Sequence, residues 1–298
     1  MKKLLFLLLL STKLVAQDGG MLGNHIKRNF VVTQYGHTRW GLEYLPDDFL
    51  TSGKKYPIMV FFHGTGETGS GEQGLSKLLL QGPSYFISQA NDKMQFTNPN
   101  TGLVEKFIVL ALQDAYWSPN INEVDYVLQN DPTLKNRTSA VFYTGLSAGA
   151  VQVTNAVTTS AVLSSHITAI IPMSSCGSGV AGGMQYAKGI PVWAFHGTSD
   201  NSCSYSFTSN FIDSLSRINA GTNISLRWTK SPVSHGPWNP LYDPSYRETV
   251  GDKQMNIYEW ALAQIPGQTI GPTGSSIVFK ITDATGKTYT IMSNGTWY

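Results

Sequence analysis

Charge is scarce in this sequence. Only 13% of its 298 residues are Asp, Glu, Lys or Arg, and the formal net charge is +2. Three of the lysines, Lys2, Lys3 and Lys13, fall at the extreme N-terminus; without them 18 Lys and Arg face 19 Asp and Glu. That balance excludes the basic footprint of a nucleic-acid-binding domain. Low charge beside 41% hydrophobic residues also argues against long disordered tails. Cysteine is scarcer still: Cys176 and Cys203 are the only two, enough for a single disulfide. Long apolar runs are missing. The longest at the N-terminus, Leu4 to Leu10, is interrupted by Lys13 and is far short of the ~20 residues that cross a bilayer. Neither G-x-G-x-x-G nor G-x-x-x-x-G-K-[ST] is matched in the glycine-rich stretch PIMVFFHGTGETGSG, which excludes a phosphate cradle there.

The N-terminus reads MKKLLFLLLLSTKLVAQ. Two lysines, an apolar run and then Leu14-Val15-Ala16 match a secretory signal peptide over residues 1–17, so an exported protein, periplasmic or secreted, is expected. Beyond it, apolar β-rich runs recur: RWGLEYLP (39–46), PIMVFFHG (57–64), KFIVLAL (106–112), AVFYTG (140–145), ITAIIPM (167–173), PVWAFHG (191–197) and ISLRWT (224–229). Continuous apolar runs are the pattern of strands buried on both faces. Helical segments are expected between them, at GEQGLSKLLLQG, NEVDYVLQND, SAGAVQVTNAVTTSAV, SYSFTSNFIDSLSRINA and DKQMNIYEWALAQ. Residues 18–38 carry little periodicity. The alternation predicts an α/β domain over 18–266, with a mostly parallel sheet and helices on both faces. Residues 267–298 read as a linker followed by a short β-hairpin, SIVFKIT and KTYTIM around DATG, and as a possible start of a further module.

One motif carries chemistry. In AVFYTGLSAGAVQV, Ser147 lies between Gly145 and Gly149, after a strand and before a helix of small residues. That is the setting of a nucleophile elbow, a tight turn that pushes a serine hydroxyl out above the sheet edge. A lone serine is a poor nucleophile and needs a base, which in turn needs an orienting acid. On this architecture the chain order is Ser, acid, His. Asp200 follows the strand PVWAFHG, and His235 is the only histidine after it. Ser147, Asp200 and His235 are therefore the expected triad; Asp213 and Asp243 are poorer acids, one mid-helix and the other after the base. The Ala148 N–H and a second N–H from the loop after PIMVFFHG, at Thr65 or failing that Gly66, are the expected oxyanion donors. His63 in that loop reads as structural.

YPIMVFFHGTGETG, ALQDAYWSP, GLSAGA, IPVWAFHGTSDNS and HGPWNPLYDP…IYEWALAQ, in that order over residues 40–264, resemble the α/β-hydrolase group that includes bacterial predicted peptidases, feruloyl and acetylxylan-type esterases and polyhydroxybutyrate depolymerase-like enzymes. Thr68 stands where that group's loop often places Arg. The resemblance implies an α/β-hydrolase fold without a large lid, the same triad and oxyanion positions, no metal and no organic cofactor. Members of that group act on phenolic, acetylated-sugar and polyester substrates, and the resemblance does not settle among them; a secreted serine esterase on carbohydrate-linked, phenolic or polyester substrates, small or polymer-linked, is the expected function. A serine peptidase, or a non-catalytic carbohydrate- or surface-binding protein on the same scaffold, are the rival readings. Trp117, Trp238 and Gln113 fall in segments expected to face the site, where aromatic rings would stack on sugar or phenolic rings. In the inferred sheet the strands before Cys176 and Cys203 are neighbours, which brings the two cysteines within reach of a disulfide beside the acid-bearing loop.

Overall fold

The computed structural model describes residues 19–268, 277–282 and 288–292. The expected signal peptide, most of the linker and the DATG turn lie outside these residues. Among the described residues no helix is long and apolar enough to cross a membrane.

The frame is a nine-stranded sheet. In chain order its strands are β1 (Met21–Leu22), β2 (His25–Val32), β3 (His37–Tyr44), β4 (Tyr56–Phe62), β5 (Ile108–Leu112), β6 (Thr138–Leu146), β7 (Ala169–Met173), β8 (Val192–Gly197) and β9 (Leu226–Ser231). They lie side by side as β1-β2-β3-β5-β4-β6-β7-β8-β9. The first three and the β3–β5 pair run antiparallel, and every pair from β5 to β9 is parallel.

Two apolar layers sandwich the sheet, and the strand pleat sorts residues between them. In β4, Ile58, Val60 and Phe62 join one layer, while Met59 and Phe61 join the other. All seven β4 residues are buried, as the solid apolar run predicts. Each such fully buried large side chain contributes about 1.5–3 kcal/mol. The first layer is closed by α2 (Ile121–Asn130), α3 (Ala148–Thr158) and α5 (Ser206–Ile218), and the second by α1 (Gly82–Gln89) and α6 (Ile257–Ala263).

Several expectations are corrected. GEQGLSKLLLQG is not one helix: a single turn (Gly71–Gly74) passes into a 3₁₀ stretch (Leu75–Leu79), and α1 begins only at Gly82-Pro83, where proline suits a first helical turn. The Thr/Val-rich segment after Ser147 breaks in two, α3 and α4 (Ala161–Ser165), because the Ser160 hydroxyl accepts the Leu163 N–H and starts a new helix. The last helix starts late. Asn256 and Glu259 form a capping box, and Lys253–Met255 pairs instead as a strand with Glu248–Val250. Residues 18–38, which carry little pattern, hold β1 and β2. The tail does form a hairpin: Ile277–Thr282 pairs antiparallel with Thr288–Met292.

The chain leaves β4 for β5 on one side, while β6 lies on the other. Such a switch opens a crevice at the carboxyl ends of the strands. The loops after β4, β5, β6, β7, β8 and β9 all end there.

Candidate active site

Ser147 occupies the turn between β6 and α3. Its φ of 54° and ψ of −118° place a non-glycine residue in a strained region, at a cost of about 1–3 kcal/mol. The flanking glycines explain how the turn is held. A Cβ on Gly149 would stand 1.9 Å from the Phe62 carbonyl oxygen, and one on Gly145 2.7 Å from the same atom. The elbow therefore rests directly on the backbone of β4. The Ser147 N–H donates to the Met173 carbonyl at 3.0 Å, so the turn is also tied to β7.

The structure brings the three expected side chains together. His235 Nε2 lies 2.9 Å from Ser147 Oγ, and His235 Nδ1 lies 2.6 Å from Asp200 Oδ2. With Nδ1–H donating to the carboxylate, Nε2 is free to accept the serine proton. Asp200 Oδ1 accepts the backbone N–H groups of Ser202 (2.9 Å) and Cys203 (2.8 Å). Burial pushes the Asp200 carboxyl up, but the Cys203 amide, His235 and the Ser202 amide together outweigh it and hold it below the usual carboxylate range. The acid is thus kept ionised with its lone pairs assigned. Asp213 lies exposed on α5 and Asp243 ends a short helical turn; neither hydrogen-bonds to His235.

His235 sits on a loop pressed against β8. A Cβ on Gly197 would meet the Val233 and Ser234 carbonyl oxygens at 2.3 and 2.5 Å, so only glycine admits this approach. Trp238 lies edge-on to the imidazole, ring centroids 5.0 Å apart, and its Nε1–H donates to Ser174 Oγ at 3.2 Å. Trp238, expected to face substrate, is half-buried and braces His235. Under this loop lies a mostly apolar cavity of about 230 Å³, lined by Ser174, Phe195, Trp238, Leu241 and Tyr246 among others. Its lining includes Gly236 and Pro237, directly after His235.

A second histidine, His196, supports the acid from behind. Its Nε2–H donates to the Cys203 carbonyl at 2.9 Å, and Nδ1 lies 2.7 Å from Thr208 Oγ1. Burial lowers its pKa, which favours the neutral ring. Sequence reading missed this strut, although its place four residues before Asp200 on β8 was a visible cue. Cys176 and Cys203 are disulfide-bonded, Cα atoms 4.7 Å apart, and tie the loop after β7 to the acid loop.

The loop after β4 packs against the elbow, and a Cβ on Gly64 would stand 2.6 Å from Leu146 Cδ1. Glu67, buried, accepts the Gly64 N–H at 2.9 Å. Burial raises its pKa. Thr65 opens a 3₁₀ turn on the exposed side of this loop, and Ala148 is the buried first residue of α3. His63 is an internal strut: its Nδ1–H donates to the Gly64 carbonyl (2.7 Å) and its Nε2 accepts the Asp114 N–H (3.1 Å). Gln113, expected at the substrate rim, is buried, and its amide donates to the Gly74 and Glu67 carbonyls at 2.6 and 3.3 Å. It holds the loop from within. Beyond it, Asp114 Oδ1 accepts the Tyr116 and Trp117 N–H groups at 2.9 and 3.1 Å, a turn that leaves both rings in solvent.

No protein-family profile matches the sequence, and neither does any curated protein. Solved structures do. A thermostable esterase superposes with a TM-score of 0.54 at 20% identity, over 74% of this chain and 60% of that one. Thermogutta terrifontis esterase 2 matches with a TM-score of 0.48 at 15% identity (80% and 91% of the two chains), and Pyrococcus horikoshii acylaminoacyl peptidase with 0.47 at 13% (72% and 38%). The chain thus spans about 60% of the thermostable esterase's length. With the sheet order and the elbow, the first likeness establishes the fold as that of the α/β-hydrolases.

Proposed function

We propose that this protein is an exported serine hydrolase that cleaves carboxylic esters through an acyl-enzyme. One observation carries the reading: a serine hydroxyl on a strained elbow, 2.9 Å from an imidazole that is itself 2.6 Å from a buried carboxylate. Chance seldom orders three such groups hydroxyl–imidazole–carboxylate at one sheet edge.

In this mechanism Ser147 Oγ attacks the ester carbonyl carbon while His235 Nε2 takes its proton. Asp200 keeps the Nδ1–H tautomer and stabilises the charged ring. The oxyanion is met by the Ala148 N–H at the N-terminal end of α3, where the helix dipole adds to its effect, and by the Thr65 N–H from the loop after β4. His235 returns the proton to the departing alcohol, and water then repeats the sequence on the acyl-enzyme. The exposed Trp117 favours carbohydrate-linked, phenolic or polyester substrates, since its ring is free to stack. Export rests on the pattern of residues 1–17, and we take 18–266 as the catalytic domain and 267–298 as an appended tail.

An organophosphonate probe tests the reading. Label is expected on Ser147, with acetyl, butyryl or feruloyl aryl esters turned over and matched peptide amides left intact. Folded protein whose Ser147 stays unlabelled overturns the proposal; amide cleavage as fast as ester cleavage transfers it to a peptidase.

A further inference from the structure

The structure packs two sulfur atoms against the reacting pair. Cys176 Sγ lies 4.0 Å from Ser147 Oγ, and Cys203 Sγ lies 4.0 Å from His235 Nε2. The ligand atoms of Cys176, Cys203 and His235 all fall within 4.8 Å of one another. In a tetrahedral zinc site, bond lengths near 2.3 Å to sulfur and 2.0 Å to nitrogen put neighbouring donors about 3.5–3.8 Å apart. The imidazole therefore has to close on the sulfurs by roughly 1 Å, while the sulfurs, once reduced, part from the ~2.05 Å of a disulfide to about 3.8 Å. As long as the sulfurs are bonded to each other, neither is a thiolate and no cation is held.

We infer that the Cys176–Cys203 disulfide masks a soft-metal site: once reduced, the two thiolates and His235 Nε2 bind one thiophilic divalent cation, such as Zn²⁺, over the Ser147 hydroxyl. The supporting groups suit such a site. The Asp200 carboxylate that accepts the His235 Nδ1–H is the outer partner that metal-bound imidazoles ordinarily have. Cys203 is fixed through its own backbone, its N–H to Asp200 at 2.8 Å and its carbonyl to His196 at 2.9 Å. Cys176 is the more exposed of the pair and so the entry point for a reductant. The chemistry balances. A small dithiol attacks the S–S bond and leaves as its own cyclic disulfide, having passed two electrons and two protons to the cysteines. The cation then displaces both thiol protons into solvent. Bound there, it occupies the Nε2 lone pair that would accept the Ser147 proton.

The test uses full-length protein without a polyhistidine tag, reduced with a dithiol, freed of it anaerobically, and titrated with ZnCl₂ against a chromophoric chelator. Uptake of one Zn²⁺ per chain is expected after reduction and none before. Co²⁺ should give thiolate charge-transfer and tetrahedral ligand-field bands. Cys203→Ser should abolish uptake, and His235→Asn should weaken it by more than about tenfold. Equal uptake by oxidised and reduced protein, or reduced-state affinity unchanged by His235→Asn, overturns the inference. His235→Asn leaves the disulfide intact, so it decides the matter even if the cysteine variant fails to fold. Metal uptake is read without ester turnover, so its failure and the failure of the hydrolase reading are separate results.

Discussion

The two halves of the candidate site are built differently. The nucleophile half, from Phe62 to Gly64 and from Thr144 to Gly149, is almost wholly buried, and backbone lies on backbone: Gly145 and Gly149 both rest on the Phe62 carbonyl. The acid–base half hangs from loops after β8 and β9. Pro232, Val233 and Ser234 are exposed just before His235, and side-chain links supply the order: Asp200, the Trp238–Ser174 contact and the disulfide. Close packing leaves no slack around the turn that carries the Ser147 hydroxyl, so a change at the glycines that seat it costs stability before it costs chemistry. Asp200 and Trp238 in the second half orient His235 through side-chain contacts, so a change at either costs turnover while the fold survives.

The sharpest way to break this contrast is Asp200→Asn. The amide keeps an oxygen for the Ser202 and Cys203 N–H groups but offers His235 a donor, which forces the wrong tautomer. Aryl-ester kcat is expected to fall about 10⁴-fold with Tm nearly unmoved; a fall of less than tenfold would mean the carboxylate does not orient the base. Gly149→Val should do the reverse. Its Cβ meets the Phe62 carbonyl at 1.9 Å, and we expect a loss of at least about 3 kcal/mol by chemical denaturation. Gly66→Ala serves as the control: nothing lies within 4 Å of its Cβ, and it should cost under about 0.5 kcal/mol. Comparable losses at both positions would remove the steric account of the elbow.

Smaller effects sharpen the picture. Trp238→Ala removes the edge-on contact and the Ser174 hydrogen bond behind the base, and about a tenfold loss of kcat, with KM unchanged, is expected. An equal rise in KM would instead make Trp238 a substrate contact. Glu67→Gln probes the buried loop carboxyl. Because burial raises its folded pKa, the cost of ionising it is absent below the unfolded carboxylate value of about 4.3 and complete above the folded one. The Gln variant should therefore be as stable as the parent or more so at neutral pH, with its advantage shrinking as pH falls through the carboxylate range. An advantage that grows on acidification contradicts the assigned shift.

The nucleophile half was the more legible in sequence for the same physical reason. A buried parallel strand writes an unbroken apolar run, and a steric elbow writes fixed glycines, so AVFYTGLSAGA announced both. His235 and Asp200 could be placed by chain order at strand ends. Their props could not. Trp238 and Gln113 looked like rim residues because partners such as Ser174 and the Gly74 carbonyl are distant in sequence. β2, HIKRNFVV, is half-buried without regular alternation, and its place comes from pairing with β3 rather than from local pattern. The late start of α6 was readable in principle from Asn256-x-x-Glu259, but Met255 and Ile257 extended the apolar pattern past it.

The turn held by Asp114 separates two jobs that most sites entangle. Its side chain fastens the backbone of Tyr116 and Trp117, and Arg39 in turn grips Asp114 at 3.1 Å. Tyr116 itself is 91% exposed and braces nothing. If the proposed ester hydrolysis holds, that tip is an interchangeable cartridge, open to redesign toward new alcohols while the machinery beneath it is left alone.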